Sequence, residues 1–312
     1  MHPPTVTPID ENDLPQAVCV MVFNANDPSG ASGLAADIST IASVGGHALP
    51  VVTGAYARDT AEIFDHFSLD EDAVTAQARA ALEDMTIQVI KVGFVGSPDN
   101  LGAIASIAAD YPEIPLIAYM PNLSWWDELH IDQYHDAFKE LILPQTTVLV
   151  GNHSTLWRWL LPDWSTESRP SARDIARAAQ VLGVPYTFIT GIALPDDFID
   201  NVLATPEAVL ASEKFERFDA VFSGAGDTLS TAFATLLAMG CELAGALQEA
   251  LSYLDRCLEG GFHPGMGNFV PDRLFWAQHE DEPTADTEPA VRPGSPLFTA
   301  SLLERKPNDT QH

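Results

Sequence analysis

From residue 17 onward, short apolar runs alternate with amphipathic stretches, and this alternation restricts the fold more than any other feature of the chain. Runs that are apolar throughout read as strands buried on both faces, and stretches with apolar residues three and four apart read as helices laid over them. The strand candidates are 17–25, 47–55, 87–95, 114–120, 146–151 and 185–192. Helical spacing fills the intervals, at 32–44 (where Leu34, Ile38 and Ile41 recur), 70–84, 98–110, 132–142 and 171–182. Segments 198–204 and 215–223 are expected to form a late antiparallel pair, and helices at 227–239 and 242–259 to close the domain. The pattern predicts a three-layer α/β fold with a mostly parallel central sheet flanked by helices. One domain over 17–277 is expected, with an N-terminal tail at 1–16. The acidic, Pro-rich tail at 278–312 has little with which to build a core.

The segment with the most chemical content runs from Phe222 through Ser223, Gly224, Ala225, Gly226 and Asp227 to Thr228. A strand is expected to end here, the glycines to turn the chain tightly, and a helix to begin near Asp227. The first N–H groups of a helix have no intrahelical partner, and the helix end carries about half a positive charge, so the loop suits a phosphoryl group. An aspartate at its mouth can accept the proton of an attacking hydroxyl. The same residue can also serve simply as a helix N-cap.

This GAGDTLS segment resembles the anion-hole signature of ribokinase-like kinases. A second stretch narrows the resemblance. Asn26-Asp-Pro-Ser-Gly-Ala-Ser-Gly-Leu-Ala-Ala-Asp-Ile-Ser-Thr, followed by Gly45 to Thr60, is similar to the N-terminal signature of hydroxymethylpyrimidine/phosphomethylpyrimidine kinases, approximately DPSGGAGIQADLKTF and TALTAQNT. Residues 91–96, KVGFVG, look like that family's KIGML, and 265–271 like its GHG-x-GPV stretch.

The resemblance implies a ribokinase-like fold and an ATP- and Mg²⁺-dependent kinase of thiamine biosynthesis, usually a homodimer, acting on a hydroxymethylpyrimidine or its monophosphate. It places catalysis on Asp227 and the loop Gly224, Ala225 and Gly226. Substrate contacts fall on Asp27, Gly33, Asp37, Arg58 and Phe94, and nucleotide contacts on Asn152, Thr190 and Gly191. From the residues alone, Asp27 reads equally as a turn former before Pro28, and Asp37 as part of a solvated helix face.

The chain departs from the family pattern at several points. Met120 stands where an aspartate helps organise metal and phosphates, Thr155 where a glutamate is usual, and Thr190 where a lysine meets the nucleotide. Arg58 replaces a glutamine, exchanging a donor-and-acceptor amide for a donor-only cation. No metal ligand is assigned. A pyridoxal-type alcohol kinase, or a kinase-fold protein that binds without turnover, therefore stays open.

Composition excludes several partners. Asp plus Glu number 44 against 15 Lys plus Arg, a net charge of −29 with only four lysines, which repels nucleic acid and anionic membranes. Such a surface suits a salty cytoplasm, where self-repulsion is screened. No apolar run is long enough to span a bilayer and no secretory leader is evident, so a cytoplasmic location is expected. Cys19, Cys241 and Cys257 lack metal-ligand spacing and read as reduced thiols. The tryptophans between 125 and 164 read as packing or interface residues.

Overall fold

The computed structural model describes residues 17–277; both expected tails lie outside the described residues. β1 (Cys19–Asn26) is buried from Cys19 to Ala25. Its alternation assigns the two faces: Cys19, Met21, Phe23 and Ala25 enter one core, Val20 and Val22 the other. A strand buried on both faces needs a helical layer on each side, and the fold supplies both. The nine strands are ordered β3-β2-β1-β4-β5-β6-β7-β8-β9. β2 (His47–Arg58), β1, β4 (Val89–Val92), β5 (Leu116–Met120), β6 (Val148–Asn152) and β7 (Tyr186–Ala193) run parallel. β3 (Ile63–Ser68), β8 (Phe198–Ala204) and β9 (Val209–Glu216) add antiparallel edges.

One face is covered by α2 (Glu71–Asp84), α3 (Pro98–Ala109), α4 (Glu128–Ala137), α5 (His153–Leu160) and α6 (Ala172–Val181), through side chains such as Val74, Leu101, Tyr134, Trp159 and Ile175. The other is covered by α1 (Gly33–Val44), α7 (Ala225–Ala238) and α8 (Leu243–Glu259), through Leu34, Ile41, Leu229, Phe233 and Leu247. Side chains cap three helix starts, where Asp70, Ser97 and Ser171 each accept a backbone N–H, whereas α7 is capped by Gly224 and not by Asp227. Among the described residues no helix is long and apolar enough to cross a membrane.

Four expectations need correction. The partner of β8 is Val209–Glu216, not 215–223, because the later residues leave the sheet and lead into α7. β3 and α5 were not expected; the first is an edge strand with two faces largely in water, the second only eight residues long. The buried stripe of α1 runs through Leu34, Asp37 and Ile41, whereas Ile38 is 42% exposed. Asp37 is thus inside the protein and not on a solvated face.

Candidate active site

The parallel strands β1, β4, β5, β6 and β7 all end at one sheet edge, the side on which open α/β sheets bind ligands. There α7 begins at Ala225, two residues earlier than expected. Its first backbone hydrogen bond to the preceding turn comes from Thr228 N–H, to Gly224 O at 3.0 Å. The N–H groups of Ala225, Gly226 and Asp227 accordingly face outward from the helix end. Gly224 makes this approach possible: its φ is +82°, and a Cβ there would lie 1.7 Å from Ala31 O. Gly226 is crossed by a side chain instead, since a Cβ would lie 2.0 Å from the Tyr119 hydroxyl.

Arg273 fastens the loop from behind. Its guanidinium is buried and donates to Thr228 Oγ1 (2.9 Å), Gly30 O (3.3 Å) and Ala31 O (2.5 Å). Burial pulls its pKa below the ordinary arginine value, against the field of Asp227.

Asp227 sits in the first turn with 13% of its side chain exposed. One oxygen, Oδ1, is engaged by Asn24 Nδ2 at 3.0 Å and by Lys91 Nζ at 3.4 Å. Lys91 rises from β4 with no exposed side-chain surface and donates to Asp37 Oδ1 at 2.8 Å. Asp37 also accepts from Asn24 Nδ2 at 2.9 Å and from Thr231 Oγ1 at 2.5 Å. Burial works against the charge of Lys91, but Asp37 and Asp227 together hold its pKa above the ordinary lysine value.

The sequence-derived substrate residues fall into two groups. Asp27 is fully buried and accepts from the N–H and hydroxyl groups of Ser29 and Ser32, at 2.6–2.8 Å. Arg58 pairs with it at 3.4 Å and donates to Ser32 Oγ (2.8 Å) and Ser223 Oγ (3.4 Å). Gly33 opens α1 beside them. These side chains organise the loop after β1 and tie it to Ser223. Phe94 lies apart, after β4, ringed by His66 (4.9 Å), Trp126 (5.2 Å), Trp125 (5.5 Å) and Tyr56 (5.7 Å between ring centroids). The imidazole of His66 has a buried Nε2 without a partner, and burial pulls its pKa down to about 4.

On the other side of Gly226 lies an open, largely apolar cleft, lined by Thr190, Phe215, Phe218, Ala225, Leu251 and Leu254 among others. Asp255 and Glu216 also line it; burial and then Glu259 raise the Asp255 pKa. Thr190 donates to Gly151 O at 3.4 Å, and Gly191 N–H to Asn201 Oδ1 at 3.1 Å. Asn152 caps α5 through Oδ1, while its Nδ2 is buried without a partner. The structure therefore brings Ala225, Gly226 and Thr190 to one cleft, with Asp227 in the same helical turn as the first two. Sequence reasoning missed Lys91, Asn24, Tyr119 and Arg273. A lone lysine and a lone asparagine inside apolar strands were the available signals for the first two.

The sequence profile of the phosphomethylpyrimidine kinase family matches residues 27–272. A hydroxymethylpyrimidine/phosphomethylpyrimidine kinase of Streptomyces coelicolor is 24% identical over 262 residues, covering 84% of this chain and 96% of that protein. The Mycobacterium tuberculosis protein of the same name is 26% identical over 267 residues, 82% and 94% of the two chains. Among solved structures, a Bacillus subtilis pyridoxal kinase in complex with ADP superposes with a TM-score of 0.73 at 20% identity, covering 84% of this chain and 99% of that one. A Clostridium difficile phosphomethylpyrimidine kinase gives 0.62, also at 20% identity, over 77% and 99%. The fold is that of the ribokinase-like kinases, and the profile spans the loop after β1, the buried Lys91 and the 224–227 turn alike: this chain belongs to the phosphomethylpyrimidine kinase family.

Proposed function

We propose that the protein transfers the γ-phosphoryl group of ATP to the hydroxymethyl oxygen of a pyrimidine, or of its monophosphate, in thiamine biosynthesis. The observation that carries this reading is the meeting of two features at one helix end. A largely apolar cleft stops at Ala225 and Gly226, and Asp227 stands in the same turn with Oδ2 outside its hydrogen-bond network. ATP fits this arrangement: its base and ribose have apolar walls, and its phosphates meet outward N–H donors at a positive helix end.

Asp227 then accepts the proton of the acceptor hydroxyl as the new O–P bond forms and the bond to the β-phosphate oxygen breaks. The N–H groups of Ala225, Gly226 and Asp227 face the oxygens of the group in transit, where charge must be stabilised. Tyr56 and Trp125, half-buried around the fully buried Phe94, offer the aromatic surfaces for a ring. Asp27 and Arg58 contribute by fixing the loop after β1. Thr190, Gly191 and Asn152 stand at the strand ends nearest the nucleotide side.

For Mg²⁺ the residues form no cage: among the described residues no group of three or more His, Cys, Asp or Glu side chains is placed to hold a metal. The ion is proposed to arrive with the nucleotide, mainly on phosphate and water ligands, and no step above runs through it. A homodimer is also proposed, with exposed Phe64 and Phe67 of the edge strand β3 as apolar surface for it. Light scattering at assay concentration decides that point.

The test is ADP release with Mg²⁺-ATP in molar KCl, comparing hydroxymethylpyrimidine with pyridoxal. Turnover on the pyrimidine, reduced about 10²- to 10⁴-fold in Asp227→Asn, is expected for loss of a general base. Turnover on pyridoxal alone would move the assignment to a pyridoxal-type kinase. Binding without turnover in either form would leave a ligand-binding member of the fold.

A further inference from the structure

The proposed reaction leaves one buried ionised group without a role. Lys91 has no exposed side-chain surface, yet it contacts two carboxylates from different helices, Asp37 of α1 and Asp227 of α7. Ion pairs buried to this depth are weak contributors to stability, because desolvation offsets most of their attraction, and an apolar replacement of similar volume is often neutral or better. Stability alone is thus a poor reason for this arrangement.

We propose that Lys91 is a positioning residue for phosphoryl transfer, a cation fixed beneath the helix end that offsets the negative charge of the base and of the incoming phosphates. The inference rests on the reading of Asp227 as the base. It supplies, from inside the sheet, positive charge that this chain lacks at Thr190, where no lysine stands.

The geometry favours this role in two ways. Lys91 Nζ and Asn24 Nδ2 both hold Oδ1 of Asp227, which fixes the carboxylate and leaves Oδ2 as the oxygen to receive a proton. The charge count also changes sensibly during the reaction. Before transfer the cluster holds two carboxylates and one ammonium. Once Asp227 has taken a proton, Lys91 and Asp37 remain as a balanced pair, so no uncompensated charge is left inside the protein.

Other groups facing Asp227 are Tyr119 of β5, Tyr56 of β2 and Arg273 beyond α8. The two phenols are held neutral, first by burial and then by the field of Asp227, with Asp37 adding to it at Tyr119 and Asp27 at Tyr56. Arg273 spends its donors on Thr228 and on the backbone of Gly30 and Ala31. Lys91 is therefore the cation in direct contact with the carboxylate of Asp227.

The test compares pH profiles of kcat/KM for the wild type, Lys91→Met and the double variant Asp37→Asn/Lys91→Met. An opposite charge at this distance is worth about 1–3 pH units. The acid limb is expected to move up by that amount in Lys91→Met, with kcat falling at least tenfold near neutrality and KM for ATP changing less. In the double variant, which removes the buried pair together and guards against a folding failure, a smaller upward shift is expected. An acid limb that stays in place in a folded variant would overturn the inference while leaving the base intact. Full activity in Asp227→Asn would instead remove the reading on which it rests.

Discussion

Tyr119 crosses the start of α7 so closely that Gly226 has no room for a side chain, and this contact can be measured by a double-mutant cycle. A methyl group at residue 226 would meet Tyr119 Oη at 2.0 Å, Cζ at 2.6 Å and Cε2 at 3.1 Å. Residue 226 has an ordinary helical backbone, so alanine is otherwise favoured there by up to about 1 kcal/mol. Against that gain stands an overpacking cost of about 1–3 kcal/mol, because the ring must turn into the cleft or the helix end must retreat. Gly226→Ala should therefore be neutral to destabilising in the wild-type background, and stabilising once Tyr119→Ala has removed the ring. Tyr119→Phe should give an intermediate result, because it deletes the hydroxyl and leaves the ring atoms in place. Urea denaturation of the two singles and the double yields the coupling, expected at about 1–3 kcal/mol. Turnover in parallel should fall in Gly226→Ala with a raised KM for ATP, because a displaced ring enters the nucleotide side. If Gly226→Ala has the same effect on stability with and without Tyr119, the ring does not cover the helix end and the reasoning fails.

Two further outcomes follow from buried ionisable groups. Arg273→Met leaves Ala31 O, Gly30 O and Thr228 Oγ1 without their donor and should cost about 3 kcal/mol or more in urea denaturation, since bonds to a charged donor contribute about 1.5–3 kcal/mol each; a loss under about 1 kcal/mol refutes the role assigned to it. His66 has its pKa pulled down to about 4 in the folded protein, from an ordinary 6.5, so the unfolded chain binds the proton more readily. Its contribution is complete above pH 6.5 and is lost as pH falls toward 4, by up to about 3 kcal/mol. His66→Gln should flatten the stability profile in that window, and an unchanged slope there counts against the burial of the imidazole.

The layer structure was legible in the chain because it depends on local pattern. Runs as apolar as 19–25, broken only by Asn24, read as strands covered on both sides, and the glycine turn before Asp227 announces a helix start. β3 escaped because an edge strand with both faces largely in water, IFDHFS, carries no alternation of buried and exposed residues. α5 escaped because eight residues give barely two turns over which periodicity can show. β9 was displaced because it has no buried position, with Val209 and Leu210 exposed, and its register is set by β8, not by its own apolar content. The site residues divide the same way. Asp227 and its loop form a contiguous motif, whereas Lys91 is explained only by carboxylates 54 and 136 positions away in sequence. Asp37, read as a substrate contact or else as part of a solvated helix face, is instead buried against Lys91. A buried charge can be read from sequence only when its partner is already known.

The bonds from Arg273 to Gly30 and Ala31 join positions 243 and 242 residues apart. During synthesis the loop after β1 leaves the ribosome well before the side chain that fixes it. A nascent chain can stack its strands in order and still hold an unset loop after β1 until Arg273 has emerged. A product ending before that arginine would carry the sheet and its helices without this clasp.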